Sequence, residues 1–199
     1  MKNNSPKTTY LKDYTPPPFL VDNVDLEIEL GEEWSTVKAR LCFRSNPDFE
    51  TENNNLVLDG QNMKLQEIRL DNLEMSPNQY SVDESHLTIK NVPKKFQLET
   101  KVSIQPQNNT ELEGLYKSGE IFCTQCESEG FRKITYFFDR PDVMSLFSTK
   151  IIANKSKYPV ILSNGNPVES GEMHDGRHWI KWEDPYLKPS YLFALVAGD

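Results

Sequence analysis

The chain has 199 residues, 37% hydrophobic and 26% charged, with a formal net charge of −8. That length supports one sizeable core, no apolar run is long enough to span a bilayer as a helix, and the scattered Lys and Arg form no stripe that would hold a phosphate backbone. A membrane span and a nucleic-acid partner are therefore set aside in favour of one soluble domain. Residues Met1 to Tyr10 are polar and lack the apolar region of a secretory signal, and three cysteines, Cys42, Cys123 and Cys126, are too few for a disulfide framework. Reduced thiols and a cytoplasmic setting are expected.

After a polar tail over residues 1–13, expected to be flexible, Pro16-Pro17-Pro18 forces an extended chain. Val24, Leu26, Ile28 and Leu30 then alternate with Asp25, Glu27 and Glu29, the period of a half-buried strand. Gly31-Glu32-Glu33 makes a turn, and Val37, Ala39, Leu41 and Phe43 alternate with Lys38, Arg40, Cys42 and Arg44. The two strands should pair antiparallel, with acidic and basic outer faces meeting across the pair. Asn46 to Asn55 reads as a loop. Short β-like runs follow at Leu56 to Leu58, Leu65 to Leu70, His86 to Ile89 and Phe96 to Ile104.

In the second half, Asp139 as N-cap, Pro141 in a first turn and the apolar Val143, Met144, Leu146 and Phe147 predict a two-turn helix near 140–147. Strands are expected at Ser148 to Ala153 and Tyr158 to Leu162, the latter ending at Asn164-Gly165, and on both sides of Asp175-Gly176, a strong two-residue hairpin signal. Tyr191 to Ala197 reads as a buried strand, and a chain stopping at Gly198-Asp199 directly after it is expected to be a piece of a longer polypeptide. The fold class predicted is mostly β: a single β-sandwich or saddle-like antiparallel sheet domain over residues 14–199 with that one short helix.

Three constellations invite chemistry. His174-Asp175-Gly176-Arg177-His178 imitates a His-Glu-x-x-His zinc helix, but Asp-Gly favours a hairpin, which puts the histidines on opposed strands near the surface. Cys123-Thr124-Gln125-Cys126 is a CxxC without a second ligand pair, and Glu127 and Glu129 beside it would raise a thiol pKa, so ordinary free cysteines are expected. Glu127 and Glu129 taken alone read as a solvated acidic face. No metal site and no catalytic residue is expected within these residues.

The neighbours of that acidic pair carry more information. Leu112-Glu113-Gly114-Leu115-Tyr116-Lys117-Ser118-Gly119, then Cys123 through Arg132, then Asp139-Arg140-Pro141-Asp142-Val143, resemble successive segments of bacterial aminopeptidase N, a gluzincin zinc exopeptidase. Ser163-Asn164-Gly165-Asn166 and the closing Tyr191-Leu192-Phe193-Ala194-Leu195-Val196-Ala197-Gly198-Asp199 continue the resemblance, which runs from about Tyr14 to the end.

The resemblance implies an N-terminal β domain that forms one wall of an active-site cavity. It implies that Glu127 binds the free α-ammonium of a peptide and that Gln125 lines the pocket for the first side chain, with Glu129 in a supporting or surface role. It further implies a zinc cofactor held by two histidines and a glutamate outside this sequence, peptides with a free N-terminus as substrates, and the catalytic domain of the same polypeptide as partner. Because those zinc ligands lie outside this sequence, and the family's Gly-x-Met-Glu-Asn element is also absent here, the fragment alone is expected to be inactive. The alternative is a stand-alone β-sandwich module that holds a glycan or protein partner through Trp34, Trp179 or Trp182.

Overall fold

The computed structural model describes Thr8, residues 10–49 and residues 54–199. Most of the tail expected over 1–13, and residues 50–53 of the loop expected over 46–55, lie outside the described residues. Within the tail, Leu11–Asp13 is a single exposed 3-10 turn.

In chain order the strands are β1 (Phe19–Glu29), β2 (Ser35–Ser45), β3 (Leu56–Asp59), β4 (Lys64–Leu70), β5 (Leu73–Glu74), β6 (Tyr80–Val82), β7 (His86–Ile89) and β8 (Lys95–Ile104). They continue as β9 (Gly114–Ser118), β10 (Ile121–Gln125), β11 (Ser145–Asn154), β12 (Val160–Ser163), β13 (Asn166–Glu172), β14 (Arg177–Lys188) and β15 (Leu195–Gly198). An eight-stranded sheet runs β13-β14-β11-β1-β2-β8-β4-β5, a four-stranded sheet runs β12-β15-β10-β9, and a three-stranded sheet runs β3-β7-β6. All pairings are antiparallel except β1 with β11. The mostly β architecture expected from the alternating patterns is the one observed.

The large sheet shows how alternation fixes its register. Val37, Ala39, Leu41 and Phe43 of β2 lie opposite Ile28, Leu26, Leu41's partner Val24 and Val21 of β1, and all are buried. A slip of one residue would exchange them for Asp25, Glu27, Lys38 and Arg40. Those charges occupy the other face, where Asp25 faces Arg40 and Glu27 faces Lys38. Lys38 reaches Glu27 at 2.8 Å, Lys150 reaches the same carboxylate at 3.2 Å, and Arg40 reaches Glu99 at 3.0 Å. Burial of the inner face stabilises the fold, whereas the exposed pairs contribute little each and mainly solvate the sheet.

The segment 140–147 is a turn followed by a strand, which corrects the helix expected there. Val143, Ser145 and Phe147 are buried while Met144 and Leu146 are exposed, a period of two. Short apolar runs do not distinguish strand from helix by themselves, and here β1 on one side and β14 on the other supply the ladder partners. Arg140 instead grips Asp142 with two nitrogens, at 2.9 and 2.6 Å, and donates to the Thr15 carbonyl at 2.8 Å. Tyr14 donates to the same aspartate at 3.0 Å, so this segment fastens the start of the domain.

The Asp175-Gly176 hairpin forms between β13 and β14, with Glu172 opposite His178 and His174 at the exposed corner. His178 departs from expectation by being buried at 8% exposure, its Nε2 2.7 Å from the Tyr158 carbonyl. The hairpin itself is as predicted; the partner that holds this ring inward is the Tyr158 carbonyl, twenty positions away in the chain.

Candidate functional site

The hairpin of β9 and β10 carries the candidate residues. Ser118 faces Ile121 across the two-residue turn Gly119-Glu120, and the ladder runs back to Gln125 opposite Gly114. Beyond Gln125 the chain leaves the sheet as a tight loop, closed where the Gly130 amide donates to the Cys126 carbonyl at 2.8 Å. Glycine is required at 130 because a Cβ there would lie 2.4 Å from the Gln125 carbonyl oxygen and 2.8 Å from the Gly114 amide nitrogen. Gly114 in turn takes φ +74°, a conformation that favours glycine.

At the tip, Gln125, Glu127, Ser128 and Glu129 are exposed, whereas Cys126 and Gly130 are buried. The Gln125 side chain donates to the Glu127 carbonyl at 3.3 Å, which brings the two predicted residues together, and the Glu127–Ser128 peptide is cis. The Glu127 carboxylate has no hydrogen bond or ion pair among the described residues. Glu129 differs: its Oε2 is 3.5 Å from Arg132 Nη1. One carboxylate of the pair is thus matched from within and the other is open to an incoming cation.

Behind the tip the chain is firmly held. Phe131 is fully buried and packs edge-on against Phe137, Phe147 and Phe193 with centroids 5.2, 5.9 and 5.3 Å away. Arg132 donates from its amide and its Nε to Asp139 Oδ2, each at 3.1 Å, and from Nη2 to the Asp139 carbonyl at 3.0 Å. Asp139, which the sequence suggested as a helix cap, is buried; its Oδ1 accepts from Ser190 Oγ at 2.6 Å and its amide donates to Asp59 Oδ2 at 3.1 Å. Lys133 projects the other way, onto Glu111 and onto Glu113 at 2.6 Å. Nothing local in the sequence marks Ser190 and Asp59, since they lie 51 and 80 positions from Asp139.

The remaining candidates do not assemble into a site. Cys126 is buried, and burial, with Asp139 nearby, pushes its thiol far above the ordinary range. Cys42, Cys123 and Cys126 are all free thiols. Among the described residues no group of three or more His, Cys, Asp or Glu is arranged to hold a metal ion. Trp182 packs against the core, Trp179 is covered by Lys150 at 4.8 Å from its ring, and exposed Trp34 lines a polar groove of about 1230 Å³ with Lys133, Tyr136, Glu111 and Glu113. The three rings form no common platform, and neither Gln125 nor Glu127 lines that groove.

Residues 20–192 match the peptidase M1 N-terminal domain. The chain belongs to this family. It is 48% identical over 199 residues to aminopeptidase N of Caulobacter vibrioides, covering 100% of this chain and 23% of that protein. It is 44% identical over 194 residues to aminopeptidase N of Escherichia coli, covering 98% and 22%. Among solved structures, Legionella pneumophila aminopeptidase A in complex with aspartic acid superposes with a TM-score of 0.90 at 39% identity, over 96% of this chain and 22% of that one. An M1 zinc metallopeptidase of Deinococcus radiodurans, at 15% identity and TM-score 0.77 over 92% of this chain and 43% of its own, shares the fold. This M1 N-terminal domain therefore spans less than a quarter of the length of the curated relatives it matches.

Proposed function

We propose that this domain is the substrate-amine clamp of a zinc aminopeptidase that removes N-terminal residues from peptides. Glu127 is the anchor for the free α-ammonium, and Gln125 borders the pocket for the first side chain. The observation that carries the reading is an exposed Glu127 carboxylate without a partner among the described residues, on a loop whose two feet are fixed and whose neighbouring carboxylate, Glu129, is already paired.

The physics suits an exopeptidase. A carboxylate held at constant distance from a metal centre pairs only with a peptide that has a free amine, and so sets which carbonyl reaches the reacting position. The metal belongs to the remainder of the polypeptide, where zinc would polarise the scissile carbonyl and activate water. The residues of this chain bind and orient; they move no proton in the reaction. The sparse free thiols fit a reducing compartment, which we propose as the setting.

The test is Glu127→Gln in the intact protein. Leaving an amine without its charged partner costs about 2 kcal/mol or more, so KM for a free-amine peptide should rise about thirtyfold or more with the folded fraction unchanged. Unchanged KM would refute the role of Glu127. Purified residues 1–199 should show neither stoichiometric zinc nor turnover of an aminoacyl chromogenic substrate, and measurable turnover by this fragment would sink the proposal that the metal centre lies elsewhere.

A further inference from the structure

We propose that Asp139 is a positioning residue for substrate binding, acting through Arg132 to hold the loop that presents Glu127. This rests on the reading of Glu127 as the amine anchor. The loop has two feet: Cys126 follows the last ladder pair of β10, and Gly130 closes back onto the Cys126 carbonyl. Two residues later the chain is fixed by the Asp139 carboxylate, which accepts from both the amide and the Nε of Arg132, while Arg132 Nη2 returns to the Asp139 carbonyl. The second oxygen of Asp139 is held by Ser190, and its amide by Asp59.

A buried carboxylate is a poor device for stability alone, because an apolar pair of similar volume would serve as well without the desolvation cost. Fork-shaped, charge-assisted hydrogen bonds add direction, and here the direction is imposed on the backbone five positions after Glu127. The same guanidinium has a second effect. Its Nη1 lies 3.5 Å from Glu129 and 3.7 Å from Asp59, so it draws the second loop carboxylate toward itself, while Glu127 is the loop carboxylate with no ion pair among the described residues. Placement and charge assignment of the clamp both pass through Arg132, and Arg132 is aimed by Asp139.

The experiment uses the intact zinc-loaded enzyme with Asp139→Asn, Glu127→Gln and the double variant. A displacement well below 1 Å should raise KM for a free-amine substrate by about tenfold in Asp139→Asn, with kcat per zinc-loaded enzyme changed by less than about threefold. On the Glu127→Gln background the same change should leave KM where Glu127→Gln alone put it, because the two act as a unit. A loss of folded enzyme would lower apparent kcat and not move KM. Unchanged KM in folded Asp139→Asn, or an equal factor in both backgrounds, overturns the inference while leaving Glu127 as anchor. Unchanged KM in Glu127→Gln alone overturns the reading of the site, and the inference with it. Should Asp139→Asn fail to fold, Ser190→Ala, which frees one oxygen of Asp139, should raise KM by about threefold with the same dependence on Glu127, and no change there overturns the inference.

Discussion

The side-chain amide of Asn164 brackets the approach to β15: its oxygen accepts from the Ala194 amide at 2.7 Å and its nitrogen donates to the Leu192 carbonyl at 3.0 Å. Ser163 Oγ adds a bond to the Ala194 carbonyl at 2.7 Å, and one residue on, Thr124 Oγ1 accepts from the Leu195 amide at 2.9 Å. Strand β15 is thereby pinned between β12 and β10, and the end of β10 is where the candidate loop begins. Asn164→Ala should lower unfolding free energy by about 1–2 kcal/mol, read from the urea midpoint at constant slope, with Asn164→Asp costing less because the acceptor survives.

Gly130→Ala should destabilise by about 1–3 kcal/mol, since the new methyl meets backbone atoms of Gln125 and Gly114 that have no rotamer to change. Thermal melting measures the cost. In the intact protein the same variant should raise KM for free-amine peptides, because relief of the clash has to move the loop; a normal melting temperature would show that the loop absorbs the methyl freely.

Acid sensitivity should be traceable to Glu27. The hydrogen bond from Lys38, opposed by burial and supported by Lys150, holds its carboxyl below the ordinary value of 4.5. The unfolded chain therefore binds a proton before the folded one does, and the stabilisation is full above pH 4.5 and lost as pH falls through the lowered folded value. Glu27→Gln should reduce the difference in stability between pH 7 and pH 3, measured by urea unfolding at each pH, and an unaltered difference would exclude Glu27 as a contributor.

Thiol labelling should rank the cysteines by burial. Half-exposed Cys123 should react with iodoacetamide in the native state, and Cys126, whose thiolate is disfavoured by burial, only on unfolding. Peptide mapping after partial labelling reads the order directly. Native labelling of Cys126 at the rate of Cys123 would contradict the closed base of the loop.

Much of the fold was legible because alternation is a direct record of which face is dry. The registers of β1 with β2, and the hairpin at Asp175-Gly176, follow from the residues themselves. The hairpin of β9 and β10, which carries the candidate loop, has a turn signal at Gly119 but no strict alternation on either side, so its strands are not legible from period alone. Gln125 and Glu127 were legible only through the resemblance of whole segments, because two polar residues beside a CxxC have no pattern of their own.

The sequence alone determined the β class, the inward residues of the long strands and the exclusion of a zinc helix, since each depends on neighbours one to four positions apart. Only the tertiary structure decided that 140–147 is strand, that His178 is buried, and that Arg132 meets Asp139, Asp59 and Glu129. Those outcomes depend on ladder partners and charge partners distant in the chain. The choice between helix and strand, or between a cap and a buried anchor, is made by whichever arrangement leaves no buried backbone or carboxylate group unpaired once the sheets close.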